Sequence, residues 1–235
     1  MGEQSEDDFE LDYDPSGAPD VLERLQFVSG TKEDFASMVQ ASYESDHWVR
    51  KFRDYDCYRK MFGDEKIHYI VAKTKYSEFV GTCICFEMEK MCFVGIYYVI
   101  PKYRSKGVGK KLFSETVTDA LKQQYNIGLH AVKAMSTIYE KELGFDKKAN
   151  WLVDTVQISD INFEKLNDLK TSKTVKGVRD VEFEKLVQYD VSVNKTKRES
   201  YVRHWAFERN DSVCKVFLVA LLLTDNKKHR FKYKR

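Results

Sequence analysis

From residue 98 to residue 112 the chain reads YVIPKYRSKGVGKKL, and these residue types and spacings suit the binding of phosphate. Arg104, Lys106 and Lys110 supply positive charge, while Gly107 and Gly109 let the backbone come close to an anion. Apolar β-formers (Val94 and Ile96 to Ile100) run into Pro101 ahead of this turn, and a helical pattern of Leu112, Phe113, Thr116, Val117, Ala120 and Leu121 follows it. The predicted unit is strand, basic glycine turn, helix. The first turn of such a helix carries amide groups with no intrahelical acceptor, and its dipole favours negative charge.

Two well-known phosphate loops do not fit. A P-loop needs Gly five residues before its Gly-Lys and Ser or Thr after it, and those positions hold Arg104 and Lys111. The dinucleotide fingerprint needs a third glycine where Leu112 stands. What remains, Arg104-x-x-Gly107-x-Gly109 after an apolar strand, resembles the pyrophosphate loop of the GNAT superfamily of acyl-CoA-dependent N-acetyltransferases. Val99, Pro101, Lys106 and Leu112 also fall where that family's consensus places them. The resemblance implies acetyl-CoA as cosubstrate and no metal. It implies that Tyr98, Val99, Ile100, Arg104, Ser105, Lys106, Gly107, Val108, Gly109 and Lys110 bind it. The loop would hold the pyrophosphate and the end of the strand the pantetheine, with a backbone N–H of Tyr98 to Ile100 as oxyanion donor.

Downstream, Tyr139-Glu-Lys-Glu-Leu-Gly144-Phe145 resembles the family's Tyr-Glu-Lys-Leu-Gly-Phe segment, whose Tyr often protonates the departing thiolate. One extra residue separates Tyr139 from Gly144, so Glu140 holds the usual spacing. A shift of one residue is about 100° of helix rotation. Tyr139 therefore reads either as the general acid or as a helix tyrosine packed on a sheet. The Asn that often precedes this helix is absent; Ser136 and Thr137 are its stand-ins. For a general base the candidates are His130, Glu87 and Glu89, beside a water relay or no dedicated base. In this family the first two helices and their loop choose the acceptor amine. Here they hold Tyr43, His47, Trp48, Phe52, Tyr55 and Tyr58, read as an apolar or cation-accepting wall or simply as packing.

The elements that must position these groups follow from periodicity. A short strand (residues 24–28) precedes a helix capped by Thr31, with Phe35, Met38, Val39 and Ser42 on one face. An aromatic helix (46–61) and strands at 67–72, 79–86 and 91–100 follow. After the loop come a helix to about Gln124, a strand (129–134), the short Tyr139 helix and a strand (151–158). This order predicts an α/β GNAT fold over residues 21–158, a mixed, mostly antiparallel sheet flanked by helices. Residues 159–177 read as a linker. Within 178–225 a strand (178–181) and helices (182–189 and 196–207) echo the opening of the chain. Phe183…Leu186-Val-Gln-Tyr189…Tyr201-Val-Arg-His-Trp205 parallels Phe35…Met38-Val-Gln…Trp48-Val-Arg. The extension is therefore either the start of a second GNAT-like unit, as in tandem members of the family, or a helical addition.

Composition sets the outer limits. The chain has 235 residues, 43% of them hydrophobic and 14% aromatic, with a formal net charge of +2. That supports one large domain and gives no general attraction to nucleic acid. Residues 1–20 hold eight acids and no base, and read as a disordered tail. Residues 226–235 form a basic tail, a candidate nucleic-acid or nuclear segment, though net charge makes that the weakest reading. No secretory pattern opens the sequence, and the longest apolar run, Val216 to Leu223, is far shorter than the ~20 residues that span a bilayer. Cys57, Cys83, Cys85, Cys92 and Cys214 lack metal-site spacing and read as reduced thiols of a cytoplasmic or nuclear protein. The expectation is an N-acetyltransferase acting on a small-molecule or protein amine, away from membranes. The alternative is a GNAT-fold protein that binds acyl-CoA without turning it over.

Overall fold

The computed structural model describes residues 21–132, 135–149, 160, 162–167, 174–211 and 213–218. The N-terminal acidic tail, the strand expected at 151–158 and the basic tail lie outside the described residues. The chain divides into two compact units, Met1–Asp146 and Lys147–Arg235.

In the first unit, β1 (Leu25–Ser29) leads into α1 (Lys32–Asp46) and α2 (Asp54–Phe62). The antiparallel strands β2 (Ile67–Thr74), β3 (Phe79–Glu87) and β4 (Met91–Val99) follow. After the loop come α3 (Val108–Thr116), α4 (Asp119–Gln124), β5 (Asn126–Leu129) and α5 (Ser136–Leu143). The sheet order is β1-β2-β3-β4-β5. All its pairings are antiparallel except β4 with β5, which is parallel and holds for four residue pairs, Met91↔Asn126 to Val94↔Leu129. This is the expected GNAT fold: a mixed, mostly antiparallel sheet flanked by helices.

Local chemistry explains the first helix. Thr31 Oγ1 accepts from the Asp34 N–H (3.3 Å), and Asp34 Oδ2 accepts from the Thr31 N–H (2.9 Å), a reciprocal capping box. The second carboxylate oxygen of Asp34 pairs with Lys73 Nζ on β2 at 2.7 Å, so the cap also ties α1 to the sheet. Phe35, Met38, Val39 and Ser42 are buried, as the spacing predicts. They pack with Tyr69, Val71, Ile84, Ile96 and Tyr98 on one face of the sheet. On the other face α3 buries Val108, Leu112 and Phe113 against Ala72, Val80, Cys83 and Cys85. Cys83 and Cys85 share that face and are fully buried, and burial pushes the Cys83 thiol up to about 12.

Several boundaries differ from the sequence pattern. The second helix begins at Asp54, not at 46, because His47 turns left-handed (φ 55°) and closes α1 on the Ser42 and Tyr43 carbonyls. The helix after the loop breaks at Val117, and Thr118 caps a new one by accepting from the Leu121 N–H. The fifth strand spans Asn126–Leu129 rather than 129–134, because pairing with Met91–Val94 fixes it despite Asn126 and Gly128, both poor strand formers.

At the end of the sheet away from the loop, Glu87 joins three elements. His68 Nε2 donates to its Oε1 (2.6 Å) and the Tyr125 hydroxyl to its Oε2 (2.8 Å). Burial alone would raise this carboxyl, but the two hydrogen bonds and the His68 charge outweigh burial and hold it below its ordinary 4.5.

In the second unit, β6 (Thr174–Gly177) leads to α7 (Phe183–Asn194), α8 (Glu199–Arg203) and β7 (Lys215–Leu218), with β6 and β7 antiparallel. The strand thus precedes the expected 178–181, which forms a 3-10 turn. The stretch read as linker contains β6 and α6 (Phe163–Asn167), whose Lys165 N–H is capped by Asn162 Oδ1 (2.9 Å). Helix α8 starts at Glu199 rather than 196 and runs into a π-helical turn, His204–Glu208. Strand, helix, helix and antiparallel strand repeat the order β1-α1-α2-β2, which is also antiparallel in its outer pair.

Thr31→Ala is expected to lower unfolding free energy by about 0.5–2 kcal/mol, read by urea denaturation. Glu87 has a folded-state pKa below its unfolded one, so its contribution is full above about pH 4.5 and fades as pH falls through the folded value. Glu87→Gln should therefore melt below wild type at pH 7, and the gap should narrow as pH is lowered past about 4.5.

Candidate active site

Strand β4 determines the site. Its pairing with β3 continues to Gly81↔Val99, but β5 leaves it after Val94. At that point β4 carries an extra residue: Ile84 pairs with Ile96 and Cys85 with Val94, so Gly95 is a bulge. From Gly95 to Val99 the β5 side of the strand is open among the described residues. The Ile100 N–H donates to Val80 O (2.9 Å), so it is not a free oxyanion donor. Antiparallel alternation then turns the Tyr98 backbone groups toward β3 as well, and those of Tyr97 and Val99 toward the open side. The Tyr98 side chain is buried, its hydroxyl 2.8 Å from Ser45 Oγ and its ring against Trp48 and Phe79.

Beyond Pro101, Arg104 is exposed but engaged. Its Nε donates to Val99 O (2.8 Å) and its terminal nitrogens to both oxygens of Asp46 (3.3 and 2.5 Å). The Asp46 carboxyl is held below its usual range chiefly by that guanidinium. Arg104 therefore ties the end of α1 to the end of β4. The unpaired cations of the turn are Lys106 and Lys110, both exposed and without an ion pair among the described residues. Ser105 (φ 58°) and Gly107 (φ 78°) are left-handed and fold the chain so that α3 begins at Val108. The amides of Val108, Gly109 and Lys110 lack intrahelical acceptors. A Cβ at Gly109 would come within 2.5 Å of the Tyr97 hydroxyl, so glycine permits α3 to sit this close to β4. A helix N-terminus of unpaired amides, two lysines and a half-open strand lie side by side.

Tyr139 on α5 is 8% exposed. Its ring centroid lies 6.1 Å from those of Tyr97 and Phe145, and Phe113 completes the cluster. Its hydroxyl has no hydrogen-bond partner among the described residues, and burial pushes it up to about 12. It is thus protonated at neutral pH and packed beside the residue that faces Gly109. Ser136 opens α5, and Thr137 is exposed on it.

The proposed bases are less well placed. Both oxygens of Glu87 are engaged. Glu89 is exposed in the β3–β4 turn. His130 follows the end of β5, exposed, with its ring 5.0 Å from Phe93.

On the α1–α2 side, Tyr55 and Tyr58 pack on Phe35, and Trp48 on Tyr98, so packing accounts for them. Tyr43 and Phe52 are over half exposed. His47 forms the left-handed cap of α1. Sequence reasoning missed Arg50, which reaches from this loop to the β4 bulge and donates to Gly95 O (3.3 Å). A cavity of about 350 Å³ lined by Tyr55, Tyr58, His68 and Tyr69 runs along β2, two strands from β4 in the sheet order, and is separate from the open edge. Among the described residues there is no group of His, Cys, Asp and Glu arranged for a metal, and no helix long and apolar enough to cross a membrane.

Residues 33–145 match the Acetyltransferase (GNAT) family. An uncharacterised protein of Caenorhabditis elegans is 30% identical over 134 residues, which is 56% of this chain and 42% of that protein. The chain thus spans less than half the length of that relative. Among solved structures, a GNAT-family acetyltransferase of Staphylococcus aureus is similar at 15% identity and TM-score 0.43, covering 49% of this chain and 81% of its own. A Trypanosoma brucei acetyltransferase is similar at 17% identity and TM-score 0.42, covering 57% and 99%. The loop, the parted strands and the aromatic helix beside them all lie within the matched segment, and the chain carries a domain of the acetyltransferase (GNAT) family over residues 33–145.

Proposed function

We propose that this protein transfers an acetyl group from acetyl-CoA to an amine by direct attack within a ternary complex. The observation that carries this reading is the juxtaposition of the unpaired amides at the start of α3 with the β4 edge that β5 leaves open. The amides of Val108, Gly109 and Lys110 would accept pyrophosphate oxygens, with Lys106 and Lys110 as counter-charge. Arg104 acts as a brace for the strand end rather than as a direct ligand.

The Tyr97 backbone groups and the Val99 N–H would hydrogen-bond pantetheine along the open edge, the Val99 carbonyl being held by Arg104. The acceptor nitrogen attacks the thioester carbonyl carbon, the C–N bond forms, and the C–S bond breaks. The nitrogen loses a proton to water, and the Tyr139 hydroxyl donates one to the leaving thiolate. Tyr139 fits that role in protonation state and in its position beside Tyr97.

Acetyl-CoA should bind wild type in a calorimetric titration, and Gly109→Trp, whose side chain would fill the approach to the amides, should abolish binding. Because that variant also crowds Tyr97, a Lys106→Glu/Lys110→Glu pair at exposed positions serves as a second reading. It should weaken binding by at least about tenfold, more so at low salt. No binding to folded wild type would refute the assignment.

Tyr139→Phe should leave acetyl-CoA affinity unchanged and lower kcat by about a hundredfold. An unchanged kcat would make Tyr139 a packing residue. Acetyl-CoA binding with no turnover across a broad amine panel would favour the non-catalytic, acyl-CoA-binding reading.

A further inference from the structure

We infer that the acceptor amine carries a carboxylate, and that Arg50 is the residue that selects it. This rests on the acyl-transfer reading and names the acceptor class for the same site.

Arg50 is half-buried in the α1–α2 loop. One terminal nitrogen donates to the Tyr58 hydroxyl (3.3 Å), the other to Gly95 O (3.3 Å), and the guanidinium carbon lies 5.5 Å from the Trp48 ring centroid. Every one of these partners is neutral. Among the described residues Arg50 forms no ion pair, whereas Arg104, Arg198 and Arg209 each face a carboxylate.

A guanidinium partly removed from water and held only by a carbonyl, a phenol and an indole pays desolvation with little Coulombic return. Its two contacts are long for hydrogen bonds, and five donors leave capacity for one planar, two-oxygen acceptor. The ligand that meets this need is a carboxylate.

Location makes the assignment specific. Gly95 is the bulge residue immediately after β5 stops pairing, so Arg50 stands where the open edge begins. A carboxylate docked there lies at the inner end of the groove whose outer end is the α3 amides. The same charge argues against polyamines and lysine-rich peptides, which bring cations to a cation.

A carboxylate could also arrive on the acyl group, as in succinyl-CoA, and the experiment separates the two sources. With the full chain and acetyl-CoA, kcat/KM is measured for L-tyrosine against tyramine and L-leucine against isoamylamine, in wild type, Arg50→Gln and Arg50→Lys. Wild type should favour the carboxylated member of each pair by about ten- to a hundredfold, the range of a charge-assisted contact. Arg50→Gln should remove that preference through KM, with kcat and acetyl-CoA affinity unchanged, and Arg50→Lys should restore part of it.

In parallel, N-acetyl-L-tyrosine and N-acetyltyramine are titrated with and without CoA, a readout that needs no turnover. The acid should bind more tightly than the amide lacking it, and Arg50→Gln should erase the difference. Equal binding of the two, or a preference that survives Arg50→Gln, overturns the inference even if acetyl-CoA binds. A preference for succinyl-CoA over acetyl-CoA that disappears in Arg50→Gln overturns it by assigning Arg50 to the acyl group. Failure of acetyl-CoA to bind wild type speaks to the broader reading, and the titrations without CoA still decide this one.

Discussion

Strand β4 has β3 beside it from Cys92 to Val99 but β5 only as far as Val94. That unequal pairing is the constraint on which the first unit depends. A strand paired on both sides has no free backbone donors, and one paired on neither would not keep its shape. Held along one side and released along the other, β4 presents backbone polar groups in a fixed line. The bulge at Gly95 marks the point of release, and a side chain there would press into Phe86, with Cε2 2.6 Å from the position of a Cβ. The same strand supports both cores, with Ile96 and Tyr98 facing α1 and α2 and Tyr97 facing α3. This edge, whose Gly95 and Val99 carbonyls are taken by Arg50 and Arg104, is therefore rigid because two hydrophobic layers clamp it.

The glycine turn depends on this clamp. Gly107 provides a left-handed bend, and Gly109 provides clearance over Tyr97. Together they let α3 start close to β4, with Gly109 against Tyr97. Arg104 braces the arrangement from the other side by joining Val99 to Asp46. Charge in this region therefore divides into a paired part, Arg104 with Asp46, and a part at Lys106 and Lys110 that has no ion pair among the described residues.

Much of this was legible in the sequence, for identifiable reasons. The turn could be read because glycine and basic residues at fixed offsets have few other uses. Helix α1 could be read because Thr31 and the Phe35-Met38-Val39-Ser42 stripe are local signals. β5 was placed three residues late because its register comes from β4, not from the propensities of Asn126 and Gly128. The extent of α2 was misread because the left-handed turn that closes α1 is made by His47 rather than by glycine, so the usual punctuation of a helix end is missing from the sequence. The pairing of Arg104 with Asp46 could not be read, because nothing local reveals a partner 58 positions earlier. Arg50 was passed over among aromatic neighbours, since burial without a counter-ion is a property of the assembled fold. In the second unit the strand lies at Thr174–Gly177 rather than 178–181, because its position comes from pairing with Lys215–Leu218 and not from local propensity.

The Asp46–Arg104 bridge also bears on the order of assembly. The β2–β3–β4 meander closes over short turns, and the cap of α1 forms within four residues. By contrast, pairing β1 with β2 must wait for two helices to be placed between them, and the bridge spans 58 positions. Contacts across such separations carry larger loop-closure entropy and tend to form after local ones. The meander can thus exist before the turn at Arg104 is pinned. A nascent or partly unfolded chain would have a sheet but an unpinned glycine turn, which makes the shape of that turn a late product of folding.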